Sequence, residues 1–136
     1  MDRKELLAGV QSAAREKDRY AAAYRSLDDY TVETVYPILR AYILDRFMLT
    51  PAQCTSDKIL DLADVSLRHI LEMKKQGLYR GDISRSCSGA SSVIAKKVLL
   101  MKAVQDDFGV TMTPAQSAAL ETVGQLAAFL VEQRGS

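Results

Sequence analysis

Between Val93 and Phe108 the apolar residues Ile94, Val98, Met101, Val104 and Phe108 follow one another at intervals of four, three, three and four. That spacing stacks side chains on one side of a 3.6-residue helix and scatters them over both faces of a strand. The same period recurs upstream. Leu6, Val10, Ala13, Tyr20, Tyr24 and Leu27 predict a surface helix over about 3–27, and Val35, Ile38, Leu39, Tyr42, Ile43 and Phe47 predict a second. Ile59, Leu62, Ser66, Ile70 and Met73 predict a third, starting near Ser56 or Asp57 and stopping at Gly77 behind a cationic last turn. No segment alternates as a strand does, so the chain is expected to be all-α.

Helix boundaries follow from capping chemistry. "SLDDYT" supplies turn and cap residues before the second helix, where Pro37 fits the first turn because its missing N–H is not needed there. Residues 78–91, "LYRGDISRSCSGAS", have no periodicity and read as an ordered loop. The fourth helix covers about 92–107. Beyond it, two T-x-x-Q boxes, Thr113 with Gln116 and Thr122 with Gln125, each offer a hydroxyl to a first-turn N–H while the Gln reaches back. With Pro114 after the first box and Gly124 weakening a continuous helix, they predict a short helix at 114–120 and a new one at 123–133. "TPAQ" also stands at Thr50, as recurring cap chemistry without a repeat around it.

At 136 residues the chain suits one domain, long enough to bury roughly two-thirds of its unfolded surface without metal or disulfide staples. No apolar run approaches the ~18 residues of a membrane span, and "MDRKELLAG" does not read as a signal peptide. Two cysteines, Cys54 and Cys87, give no disulfide framework and point to a reducing, cytoplasmic setting. The net charge of +1 hides a basic block, in which residues 68–102 carry Arg68, Lys74, Lys75, Arg80, Arg85, Lys96, Lys97 and Lys102 against Glu72 and Asp82. Such a block is either a solvated face or a surface that meets an acidic partner.

A long helix running into Phe-Gly-Val, then "TPAQSAA" and "ETVGQLAAFL", resembles the second half of an acyl or peptidyl carrier protein over Ser91–Glu132. In that family the second helix ends near such a Phe, a short third helix follows, and a "TV-x-x-L" signature opens the fourth. The resemblance implies a carrier-like four-helix bundle at 31–136, an N-terminal helical extension at 1–30, and an enlarged first loop at 48–90 containing its own helix. It also implies a 4'-phosphopantetheine arm on a serine that starts the second helix. "GASSV", Gly89 to Val93, resembles the Gly-x-Asp-Ser-Leu motif and would put the arm on Ser92, with Ser91 in place of Asp and Val93 in place of Leu. A phosphodiester suits that position because unpaired N–H groups and the helix dipole favour an anion there. The alternative is that Ser91 or Ser92 only caps the helix. "DLADVSL" is a second partial match, but the helical period runs through its Ser66, which reads as a packing or surface serine.

Carrier-related proteins of bacterial peptide-maturation systems look similar to this chain. The resemblance therefore implies a carrier or adaptor in a biosynthetic or peptide-modifying pathway, not an enzyme. The family's second helix is acidic, whereas this one carries Lys96, Lys97 and Lys102, so the implied partners are pathway enzymes with acidic docking surfaces. The reading that competes with it is a helical nucleic-acid-binding or regulatory module built on residues 68–102, although the charges come without helix-turn-helix spacing. Cys87, near Arg85 and a helix start, has the setting of an activated thiol as well as of an ordinary loop cysteine. His69 is the only histidine and no spaced cysteine pair accompanies it, so no metal site is expected.

Overall fold

The computed structural model describes residues 19–75 and 92–135. The first part of the N-terminal helix, the stop at Gly77, the 78–91 loop, Cys87 and Ser91 lie outside them. Among the described residues the chain is helical and without strands: residues 19–25 (α1), Val32–Arg46 (α2), Ile59–Lys75 (α3), Val93–Phe108 (α4), Pro114–Ala119 (α5) and Val123–Gly135 (α6). α2 packs along α6, and α3 along α4.

α2 begins at a box that uses threonine twice. The Thr34 N–H donates to Thr31 Oγ1 at 3.3 Å and the Thr31 N–H to Thr34 Oγ1 at 3.0 Å. This start places Pro37 at the sixth helical position and not in the first turn. Its missing N–H leaves the Glu33 carbonyl without its helical partner, on a side where both residues are exposed. α2 then closes in a Schellman arrangement, with Leu49 N–H on Leu44 O at 2.8 Å and Met48 N–H on Asp45 O at 3.1 Å. Met48 occupies the left-handed position at φ 59°, where glycine is usual. α4 ends more conventionally, at Gly109 with φ 69°.

One core joins all the long helices. Val35, Leu39, Tyr42, Ile43 and Phe47 of α2 meet Ile59, Leu62 and Ala63 of α3, Leu100, Met101, Val104 and Phe108 of α4, and Val123, Leu126 and Leu130 of α6. Each fully buried leucine contributes about 1.5–3 kcal/mol. The segment expected as an N-terminal extension also reaches this core. Tyr24 of α1 is buried, edge-on to Phe108 at 5.1 Å, while Tyr42 meets the same ring at 4.9 Å. Residues 19–30 thus pack against the bundle, and Ile59–Lys75, the helix expected within 48–90, contributes Ile59, Leu62 and Ala63 to the same core.

The two T-x-x-Q boxes both form. Gln116 N–H donates to Thr113 Oγ1 at 3.1 Å and Thr113 N–H to Gln116 Oε1 at 2.9 Å, and the Thr122–Gln125 pair repeats this at 3.0 and 3.1 Å. The chain between Thr113 and Glu132 is accordingly two helices. At the other "TPAQ", Gln53 reaches back to the Thr50 N–H at 2.7 Å, but only a turn follows.

The starts of α3 and α6 lie side by side, joined by an antiparallel bridge between Lys58 and Thr122. Ile59 N–H donates to Glu121 O and Val123 N–H to Asp57 O, both at 2.9 Å. The Asp57 carboxylate adds a third link, accepting from Gly124 N–H at 3.2 Å and from the Tyr36 hydroxyl at 2.5 Å. Arg40 stands 3.9 Å from the same carboxylate and donates to Ser56 O and Cys54 O at 3.1 Å each. Gly124 suits this contact because a Cβ there would lie 3.3 Å from Asp57 Oδ2.

Two measurements check this account. Met48→Gly relieves the left-handed strain and raises stability by about 1 kcal/mol, whereas Gly109→Ala, with open space around its Cβ, lowers it by about the same amount. Urea unfolding of both variants reads the opposite signs. Burial and the Asp57 hydrogen bond also push the Tyr36 phenol above its ordinary value. A raised phenol pKa makes stability fall as pH rises from about 10 through the folded value. In Tyr36→Phe part of that alkaline fall is absent, and Tyr24, raised chiefly by burial, supplies part of what remains.

Candidate functional site: the α4 surface

Ser92 is the N-cap of α4. Its backbone is extended at φ −144° and ψ 160°, and its hydroxyl accepts the Ala95 N–H at 3.2 Å. The side chain is exposed, at the end of a 16-residue helix with no acidic residue in its first turn. An anion attached there would meet the positive end of the dipole without a competing carboxylate.

α4 meets the core through Met101, Val104 and Phe108 of the row the periodicity predicts, but its first two turns depart from that row. Ile94 and Val98 are 65 % and 60 % exposed, while Lys96 is fully buried. The inward row is Lys96, Leu100, Val104 and Phe108, spaced by four, with Met101 and Ala103 beside it. A competing row, Ile94, Val98, Met101 and Gln105, faces α5. Both rows are apolar in the middle, and reading by charge alone selects the row without a lysine. Lys96 is accommodated because its stem packs inward and its Nζ stands 5.1 Å above the centroid of the Phe47 ring.

The three lysines expected to meet a partner therefore separate. Lys96 is withdrawn from the surface, which corrects its assignment as a contact residue. Lys97 is half-buried with its Nζ 3.4 Å from Ala118 O, and Lys102 is exposed. Within the wider basic block, Arg68 pairs with Asp64 at 3.2 Å, and Arg80 and Arg85 lie outside the described residues.

The outer row of α4 forms one wall of an apolar trough of about 480 Å³. Met101 and Met112 contribute to its lining, with Ile94 and Val98 along α4, Pro114 and Ala118 along α5, and Leu60 of α3. Lys97 and Lys102 are its charged lining residues. Sequence reasoning did not find this trough. The signal available to it was the surplus of apolar residues on α4, more than one helix face can bury.

Ser66 is fully buried, and its hydroxyl donates to Phe47 O at 2.6 Å. It is a packing serine in the apolar stripe of α3, so its side chain is closed to an enzyme. Cys54 is half-buried and reduced. His69 is half-buried on α3, and no group of three His, Cys, Asp or Glu among the described residues could hold a metal ion. Nor is any helix among them long and apolar enough to cross a membrane.

Comparison with known proteins finds no matching family model, no matching curated protein and no matching solved structure. Function must be argued from the α4 surface itself. The geometry at Ser66 generates its own expectation: Ser66→Ala strands the Phe47 carbonyl and costs about 1–3 kcal/mol in chemical unfolding.

Proposed function

We propose that this chain is a carrier-like helical module, serving as a carrier or adaptor in a biosynthetic or peptide-modifying pathway and carrying no catalysis of its own. The observation that supports the reading best is the placement of Ser92. It stands exposed at the cap of α4, two residues before Ile94 and the apolar trough that runs beside that helix. A group esterified to its hydroxyl starts in solvent at a helix N-terminus, where its phosphate is favoured and its far end is free to move. In this reading Ser92 holds a 4'-phosphopantetheine arm. Lys97, Lys102 and the outer row of α4 are recognised by pathway enzymes with acidic docking surfaces. The setting proposed is cytoplasmic, where two thiols stay reduced.

If the arm is absent, the same surface works as an adaptor. Intact-mass spectrometry after incubation with coenzyme A and a broad-specificity phosphopantetheinyl transferase separates the two. The expected result is a gain of one phosphopantetheine, lost in Ser92→Asp. That variant keeps the cap while removing the nucleophile, so a loss of modification is not a loss of helix. Absence of any gain in the unaltered chain overturns the carrier half of the proposal.

A further inference from the structure

The trough between α4 and α5 has the dimensions of a ligand site but not the enclosure of one. Small-molecule sites of about 300–1,000 Å³ usually cover most of their ligand. Here two wall residues, Ile94 and Val98, remain 65 % and 60 % exposed, and the opposite side is a six-residue helix with no buried residue of its own. An open apolar channel beside an amphipathic rim is the geometry that receives one face of a helix, through anchors at i, i+3, i+4 and i+7. The lining contains two methionines, Met101 and Met112, whose unbranched side chains adjust to differing anchors.

Charge decides what kind of helix. The ionisable residues lining the trough are Lys97 and Lys102, with no carboxylate among them. They stand five positions apart on α4, about 140° around the helix axis, so they lie on either side of the Ile94, Val98 and Met101 row, and an incoming helix with carboxylates flanking its apolar stripe meets a cation along each flank. A basic helix would bring like charges to the same rim while gaining the same apolar burial.

We propose that this trough is a docking groove for an acidic amphipathic helix of a partner protein. The inference deepens the partner-recognition side of the function proposed above and rests on it, but it holds whether or not Ser92 carries an arm.

The test selects helical peptides of about 18 residues from a displayed library of mixed charge, using the full chain as bait. The expected outcome is enrichment of peptides with an apolar stripe at i, i+3, i+4 and i+7 and flanking Glu or Asp. Binding of an enriched peptide, followed by fluorescence anisotropy, should weaken about tenfold or more in Val98→Asp, an exposed position whose change leaves the circular dichroism spectrum intact. In the double variant Lys97→Glu, Lys102→Glu the preference should reverse toward basic peptides. Moving from about 50 to 300 mM salt should weaken the acidic peptides several-fold in the unaltered chain. Enrichment of neutral or basic helices, binding indifferent to Val98→Asp, or no enrichment at all would overturn the proposal. So would saturable, Val98-dependent binding of dodecanoate without helix selection, which assigns the trough to small amphiphiles. Transferase modification of Ser92 is read separately by mass, so the failure of either proposal is visible without the other.

Discussion

The carboxylate of Asp57 is the constraint on which the arrangement of the bundle depends. Bringing the starts of α3 and α6 together places two positive dipole ends and two sets of unpaired N–H groups against each other. Asp57 answers both problems at once. Its main-chain oxygen takes the Val123 N–H, its side chain takes the Gly124 N–H, and its charge sits between the two termini. Thr122 Oγ1 accepts the Gln125 N–H and Thr122 O the Leu126 N–H, so every amide in the first turn of α6 has a partner. Tyr36 and Arg40 then fasten the same carboxylate to α2. Three helices are thereby fixed in register by one side chain, and the apolar faces they present close on each other.

The trough follows from that closure. α3 and α6 are locked at their starts, and α4 is held by its inner row against α2, α3 and α6. α5 is joined to the rest differently. It is six residues long, begins and ends in its own capping bonds, and contributes no buried residue. Such an element is too short to cover the flank of a helix of sixteen residues, which leaves Ile94 and Val98 in solvent. Among the described residues one short helix stands on that side, so the exposed row of α4 follows from its shortness and not from a polar surface patterned for water.

What the sequence disclosed and what it withheld divide by range of interaction. The Thr113 and Thr122 boxes were legible because donor and acceptor lie three residues apart. They correctly break the C-terminal region into a short and a longer helix. The all-α fold was legible because the helical period recurs in each long apolar segment and no segment alternates as a strand does. Ser66 was half legible, since an apolar stripe running through it already marked it for packing. The inward face of α4 was legible over Met101, Val104 and Phe108 and misread at Ile94 and Val98, because two rows compete there and the winning one contains Lys96, whose cation is received by a ring 49 positions earlier in the chain. Asp57 was visible as a residue near a helix start, but its partner at Gly124 lies 67 residues away, beyond the reach of any local pattern.

The question whether Ser92 is a cap or an attachment point loses its sharpness once the geometry is considered. As a cap, its oxygen accepts one of the N–H groups that α4 leaves unpaired, for about 1 kcal/mol. As an ester, that oxygen would become a weaker acceptor, but the phosphate attached to it would bring stronger, charged acceptors to the same donors. The feature that makes the serine a good cap is therefore the one that makes the modified residue tolerable. On the function proposed here, α4 does not have to rearrange to receive an arm, and its outer row presents the same trough before and after. Recognition of α4 by a partner and loading of Ser92 then use adjoining parts of one rigid helix without competing for the same atoms.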